Sequence, residues 1–474
     1  MDGFRRVTGG RRWAALGVAL LAAAWSAGCA SHAQNMAEVR GALLRGAPGE
    51  ALSEFAGQKE KPDDLLYLLE RGFLEHEAGN YEVSNQAFEA AELRAEELYT
   101  KSISQEIAAL VTSDKTLPYR GYPHELVLIQ YFRAFNYLKL GRYDAALVEA
   151  RKANQRMVEL RDKMEGKDTY RNDAFMQYFT ALLYEDAGEW NDAAVAYRNA
   201  YTAYQHYKKM YGVPPPETLP SDLYRALKRI DATDQAAQLE EEYPDVAADA
   251  LTGRDANVVV FVEYGFSPYL EPVDIVLPIF DEEDDEQYRG CDDCEREYAG
   301  VLVDRYGNNI YAYSGSRYTL DHVLKFAFPR VVNYPSQASW ARIEEPVSQV
   351  VTSPPVEPID AIMTQSFNER MPTILLRTIA RALAKEFARV QAKKADKTLG
   401  VLINIAGVAT ERADDRSWLL LPEKIDMIKL ALPPGQQDLE IVFHAADDRV
   451  IEKQIIPITV REDRMTIVRV RCYQ

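Results

Sequence analysis

One residue pattern recurs three times in the N-terminal half and limits what that half can become. Gly79-Tyr81-Ser84-Phe88-Ala91, Gly141-Tyr143-Ala146-Ala150-Ala153 and Gly188-Trp190-Ala193-Tyr197-Ala200 place a Gly, an aromatic two residues on, then small or aromatic residues at helical spacing. Seven residues before each Gly stands another small residue: Gly72, Ala134 or Ala181. A Gly between two apolar-periodic segments ends a helix in the left-handed conformation that other residues avoid. The small residues let neighbouring helices approach closely, and the aromatics fill the corner and the gap to the next pair. The pattern predicts helical hairpins stacked over residues 36 to about 245. Gly46-Pro48-Ala51-Phe55 is a partial copy, read as a capping hairpin.

This pattern resembles the tetratricopeptide (TPR) repeat. The three Gly positions lie 62 and 47 residues apart, against a usual period of about 34. Extra helix must fill the gaps, with Ala90–Leu110 read as one long helix and Arg156–Tyr170 as an extension plus a loop. In TPR proteins the first helix of each pair lines the concave face. The resemblance puts Leu66, Leu69, Phe73 and His76 there from the first pair. The second pair adds Leu128, Tyr131, Phe135 and Lys139, and the third Phe175, Tyr178, Leu182 and Glu185. An apolar, aromatic groove of this kind suits an amphipathic helix or extended peptide of another protein. The same residues serve equally well as core if the chain's own segments fill the groove.

Val213-Pro214-Pro215-Pro216 and Leu219-Pro220 interrupt the helices, and the period changes near residues 252–256. Val258-Val259-Val260-Phe261-Val262 is a continuous β-type run, as expected of a strand covered on both faces. Val273–Phe280, Tyr298–Val303, Ile310–Tyr313 and Leu324–Val332 are further strand candidates. Between them, Asp281–Glu297 carries an acidic run and Cys291-Asp292-Asp293-Cys294. Four close carboxylates disfavour a reactive thiolate there, and the run lacks EF-hand spacing. A solvated insertion tied by a Cys291–Cys294 disulfide is the plainest reading, with redox and calcium sites as alternatives.

Ile359 to about Lys394 reads as a long helix. Its apolar residues recur at Ile362, Phe367, Leu375, Ile379, Leu383, Phe387 and Val390. Arg370, Arg377, Arg381, Lys385, Arg389, Lys393 and Lys394 make a basic face. Such a helix packs on a sheet and pairs with the acidic domains, or lies on an anionic membrane through its basic side. Leu399–Ala409 is expected to be a buried helix. Lys424–Leu430, Asp438–His444, Arg449–Val460 and Met465–Arg471 are the strands of a C-terminal β unit.

The N-terminus is an address. Arg5, Arg6, Arg11 and Arg12 precede the apolar run Trp13–Trp25, and Ser26-Ala27-Gly28-Cys29 follows. That order is a secretory signal, and the run is too short to span a bilayer, which takes about 20 apolar residues. The Cys resembles that of a bacterial lipobox, making Cys29 the lipidated N-terminus. Ala30 after it points to the outer membrane. The formal charge is −18, and loss of residues 1–28 makes it more negative. Bulk charge therefore argues against nucleic acid as a partner. No zinc spacing, nucleophile elbow or Ser-His-Asp order is present, so no catalytic residue, metal or cofactor is assigned.

Several segments together resemble an uncharacterised family of TPR-containing outer-membrane lipoproteins of Gram-negative bacteria. They are the lipobox, Ala95-Glu96-Glu97-Leu98-Tyr99-Thr100-Lys101-Ser102, and Val260-Phe261-Val262-Glu263-Tyr264-Gly265 with Ser267-Pro268. Arg377-Thr378-Ile379-Ala380-Arg381-Ala382 with Lys385, and Ala413-Asp414-Asp415-Arg416-Ser417-Trp418 with Leu421-Pro422, complete the set. The resemblance makes Arg377, Arg381, Asp414, Asp415 and Arg416 a candidate polar site. The alternative is that these charges bridge the long helix to the β domains. Members are often encoded near lipoprotein activators of penicillin-binding proteins, which implies a part in envelope or peptidoglycan assembly.

The expected fold is α+β and multidomain: a TPR-like α-helical solenoid, then β-rich domains joined by a long helix. The divisions are a signal peptide (1–28), a lipidated tether (29–35), the solenoid (36–254), a β-rich domain (255–358), helices (359–422) and a small β unit (423–474). The expected function is a periplasm-facing, lipid-anchored scaffold. Its partners are an envelope protein or peptide in the groove and the membrane through Cys29. The alternatives are a cell-wall enzyme using a carboxylate pair, and a passive structural protein.

Overall fold

The structure, a computed structural model, describes residues 31–57, 64–100, 113–163, 172–252, 256–282, 299–303, 309–314, 318–346 and 351–474. The signal segment, Cys29, and Cys291 and Cys294 with most of their acidic insertion lie outside the described residues.

Short helices α1 (His32–Asn35), α2 (Ala37–Leu44) and α3 (Pro48–Ala56) lead into three long hairpins. These are α4 (Leu65–Glu77) with α5 (Tyr81–Thr100), α6 (Pro123–Lys139) with α7 (Tyr143–Lys163), and α8 (Ala174–Asp186) with α9 (Trp190–Met210). Helices α10 (Thr218–Arg229), α11 (Thr233–Glu242) and α12 (Val246–Thr252) close the solenoid. Gly79, Gly141 and Gly188 have φ of 79°, 69° and 72°. At each, the amide after the Gly reaches back to the helix, as when Asn80 N donates to the Glu75 carbonyl at 2.9 Å. This is the Schellman ending that a left-handed Gly permits. The close approach expected of the small residues is also present. A Cβ on Gly72 would stand 2.7 Å from the Phe88 ring, and Ser84 Oγ donates to the Gly72 carbonyl at 2.6 Å.

The strands are β1 (Val258–Tyr264), β2 (Tyr269–Glu282), β3 (Ala299–Val303), β4 (Asn309–Ser314), β5 (Tyr318–Val332), β6 (Trp340–Glu345), β7 (Val351–Thr352) and β8 (Pro355–Glu357). Helices α13 (Ile359–Ala395) and α14 (Lys397–Thr410) follow, then β9 (Lys424–Leu430), β10 (Gly435–His444), β11 (Val450–Val460) and β12 (Thr466–Cys472). One sheet has the order β12-β1-β9-β8 and another β11-β10-β6-β7. Each therefore mixes strands from the expected β domain at 255–358 with strands from the expected β unit at 423–474. The two are a single sandwich. Strand periodicity shows that a segment is extended, but not which distant segment supplies its hydrogen-bond partners.

β1 sits at the centre of the molecule. It pairs in parallel with β12 and antiparallel with β9, and all seven of its residues are buried. Val258, Val260, Val262 and Tyr264 pack inside the sandwich, while Val259 and Phe261 join the core of the solenoid. This two-sided burial is the reason for the unbroken apolar run.

The sequence expectations fail at two other places. Residues 32–35 are not a loose tether but a turn of helix, with His32 buried. Ser31 and Gln34 form a reciprocal capping box, and His32 N donates to Asp415 at 2.9 Å. The second failure is in α13 and α14. Ile362, Met363 and Phe367 are buried as expected, but Leu375, Ile379, Leu383 and Phe387 are exposed, as are Leu399, Val401 and Leu402 on α14. The expected buried helix at 399–409 thus shows apolar side chains to its surroundings. The inner sides of both helices lie against β5 of the β2–β5 ribbon.

Candidate functional site

The concave face of the solenoid is occupied by the chain itself. Phe261 on β1 lies 6.3, 6.1, 5.5 and 5.6 Å from the rings of Tyr131, Phe135, Phe175 and Phe179, with steep ring angles. Offset and edge-on packing of this kind adds to simple area burial. Trp418, on the segment after α14, packs against the stacked rings of Phe88 and Phe132 at 5.9 and 5.7 Å. Its backbone N donates to Glu125 at 2.7 Å, and Leu419 N donates to Glu70 at 3.0 Å. Both carboxylates are fully buried on solenoid helices.

The groove residues therefore have definite places. Leu66, Leu69, Phe73, His76, Leu128, Tyr131, Phe135, Phe175, Tyr178 and Leu182 are all buried. Lys139 is exposed and Glu185 half-buried at the rim. The groove as an open binding cleft is not what the fold contains, because these side chains are the seam between solenoid and sandwich. Tyr178 donates to Asp222 at 2.6 Å, and Lys429 on β9 reaches the same carboxylate at 2.7 Å. Glu185 pairs with Arg225 at 2.6 Å.

The polar centre of the seam was not foreseen. Glu263, on the outwardly apolar β1, is fully buried. Arg469 on the neighbouring strand grips it with Nε and Nη2, each at 2.6 Å. The same guanidinium donates to Glu77 at 2.7 Å and meets His76 Nε2 at 3.1 Å. Tyr131 donates to Glu263 at 3.0 Å. Burial works against the Glu77 anion, yet Arg469 holds its carboxyl down to about 2, helped by His76 only where acid has protonated that ring. Burial first, and then Arg469, lower His76 to about 4, so the ring is neutral. One signal in the sequence could have found this site. A charged residue inside a strand covered on both faces demands a buried counter-ion.

The candidate polar cluster is likewise a set of struts. Arg381 is fully buried and donates to Glu411 at 3.1 Å and Asp114 at 2.9 Å. Asp415 accepts from Lys115 at 2.6 Å as well as from His32 N. Arg416 pairs with Asp414 at 2.7 Å, donates to the Leu117 carbonyl at 2.7 Å and lies over the Tyr119 ring. Arg377 is half-buried on α13. The cluster ties α1, the 113–117 turn, α13 and the 411–416 segment together. Among the described residues no group of three or more His, Cys, Asp or Glu side chains is arranged to hold a metal ion.

A comparison with models of known protein families gives no match, and neither does one with curated protein sequences. Among solved structures, aspartyl phosphate phosphatase F from Bacillus subtilis is similar at 13% identity and a TM-score of 0.28, over 47% of this chain and 51% of that one. The match thus spans about half of the phosphatase. BtubC (BKLC) from P. vanneervenii is similar at 17% identity and a TM-score of 0.25, over 44% of this chain and 72% of that one. The fold rests on the geometry above: a TPR-like helical solenoid closed by a β-sandwich.

Proposed function

We propose that the chain is a non-enzymatic scaffold of the Gram-negative cell envelope. A lipid on Cys29 holds it at the outer membrane, facing the periplasm, and it serves protein assembly there, with peptidoglycan synthesis the process suggested by the family resemblance. The observation that carries this reading is where packing begins. Ser31 already caps a helix, and His32 already docks on Asp415. Only Ala30 and the capping Ser31 separate that docked helix from Cys29. A lipid at Cys29 thus keeps the body flush with the membrane rather than on a leash.

Two cavities among the described residues do not form the carboxylate pair of a glycoside-cleaving enzyme, and neither lends support to that alternative. Glycoside cleavage needs two facing carboxylates. The cavity of about 360 Å³ bounded by Arg45, Gln337, Arg449, Glu452 and Gln474 has one carboxylate side chain. The smaller one between β5 and the α13–α14 pair also has one, Glu386. Since the concave face is filled, a protein partner meets the convex surface or the sandwich.

Growing cells with a clickable palmitate tests the anchor. Label is expected on the wild-type chain and lost with Cys29→Ser, and crosslinking in those cells captures the partner. Full-length polypeptide found free in the cytosol, still carrying Met1, would overturn the reading.

A further inference from the structure

From Pro372 to Ala388, every exposed residue of α13 is uncharged. Leu376, Leu383 and Phe387 are each about two-thirds exposed, at 68%, 65% and 67%. With Leu375 and Ile379 they form one stripe along the helix at spacings of three and four. α14 extends the face through Leu399, Val401 and Leu402. The ionisable side chains point the other way. Lys385 reaches Glu411 at 2.6 Å, while Arg389 and Lys393 reach Asp321 on β5 at 3.1 and 2.6 Å. The hairpin is inside out for a helix pair in water, where the charged face is outermost. An apolar patch this continuous marks a contact surface.

The chain's own N-terminus says what covers it. His32 is held on Asp415, four residues past Glu411, and Glu411 pairs with Arg381 and Lys385 where α14 ends. Cys29, the lipid-bearing residue of the proposed anchor, stands two residues before Ser31. Two extended residues reach at most about 7 Å. A membrane-attached N-terminus therefore brings the bilayer to the base of this hairpin. The chemistry agrees, since Leu, Ile, Val, Phe and Ala make up the stripe and no exposed charged side chain interrupts it between residues 372 and 388. A protein interface of this size would carry a hydrogen-bonding rim. Lys394 and Arg412 are exposed towards the two ends of the face, where headgroup phosphates would lie. No helix among the described residues is long and apolar enough to cross a membrane.

We propose that the outward face of the α13–α14 hairpin lies in the interfacial layer of a lipid bilayer, with its apolar side chains among the acyl chains. This rests on the membrane-attached reading above and adds a second, non-covalent contact to it.

The test uses the full chain in vesicles of phosphatidylethanolamine and phosphatidylglycerol. An environment-sensitive fluorescent amino acid replaces Leu383 or Phe387, or, as controls, the exposed Val148 or Val195 of the solenoid. The expected result is blue-shifted emission at 383 and 387. Nitroxide-bearing lipids should quench these positions several-fold more than 148 and 195, and aqueous iodide several-fold less. Equal iodide quenching at all four positions overturns the proposal. So does a blue shift without lipid quenching that fades as lipid dilutes the protein, because a second copy then covers the face. Running Cys29→Ser in parallel separates the two readings. Palmitate reports the anchor and quenching reports the hairpin, so either can fail while the other stands.

Discussion

Two long helices of this chain bury opposite halves of their sequence. α9 buries Ala193, Tyr197, Ala200, Tyr204 and Tyr207, and turns Asp192, Arg198, Lys208 and Lys209 to the outside. Over its second half, α13 buries Arg381 and Arg389 and turns Leu376, Leu383 and Phe387 out. Both are amphipathic. Amphipathicity divides a helix into two faces but does not say which one meets the rest of the protein. α9 meets the apolar core of the solenoid, where Tyr204 also donates to the Val356 carbonyl at 3.0 Å. α13 meets carboxylates held in place by other elements: Asp114, Asp321 and Glu411.

The contrast breaks most visibly at the seam. Arg469→Ala leaves Glu77 buried without its cation and Glu263 with only the more distant Arg471, at 3.6 Å, and should cost about 3–5 kcal/mol in urea unfolding. Tyr131→Ala should cost a similar amount, about 3–5 kcal/mol, by opening a cavity beneath Phe261. A pull-down in which Tyr131→Ala loses a partner while its unfolding midpoint stays put would return the concave face to the list of binding surfaces.

Acid comes next in size. The unfolded chain takes up a proton on His76 below its ordinary 6.5, whereas the folded chain refuses it until about 4. The stability is fully present above pH 6.5 and drains as pH falls through 4, up to about 3 kcal/mol for this group. His124, lowered by burial to about 3, adds to the same trend. Thermal unfolding between pH 7 and 4 should show the loss, and His76→Gln should flatten it. An unchanged slope in that variant would remove His76 from the account.

Smaller again, Gly79→Ala forces a Cβ onto a backbone at φ 79° and should cost about 1 kcal/mol. Smallest of all, Leu383→Ser or Phe387→Ser should change stability in lipid-free buffer by no more than about 0.5 kcal/mol, as at an ordinary surface position. A loss of several kcal/mol there, measured by chemical denaturation, would mean that the hairpin face is core after all and would erase the difference between α9 and α13.

Much of the helical half was legible because its signals are local. The left-handed turns at Gly79, Gly141 and Gly188 and the close pass at Gly72 depend on a few neighbouring residues. The double covering of β1 was equally readable, since an unbroken run from Val258 to Val262 has no solvent-facing side. The candidate sites were less legible. Tyr131 and Tyr178 have the composition of a binding groove and of a core alike, and only the arrival of Phe261 separates the two. Arg469 and Glu263 are 206 residues apart, and no local pattern joins them.

By itself, then, the sequence determined where the chain is helical, where it is extended, and that β1 must be covered twice, because backbone conformation and side-chain period are properties of short segments. Tertiary structure alone decided that the solenoid's hollow is closed by the chain's own strand. It also decided that 255–358 and 423–474 share one sandwich, and that α13 shows its apolar side outward. Each of those outcomes turns on which distant surface reaches a given face first, and on whether a carboxylate or a ring is waiting there.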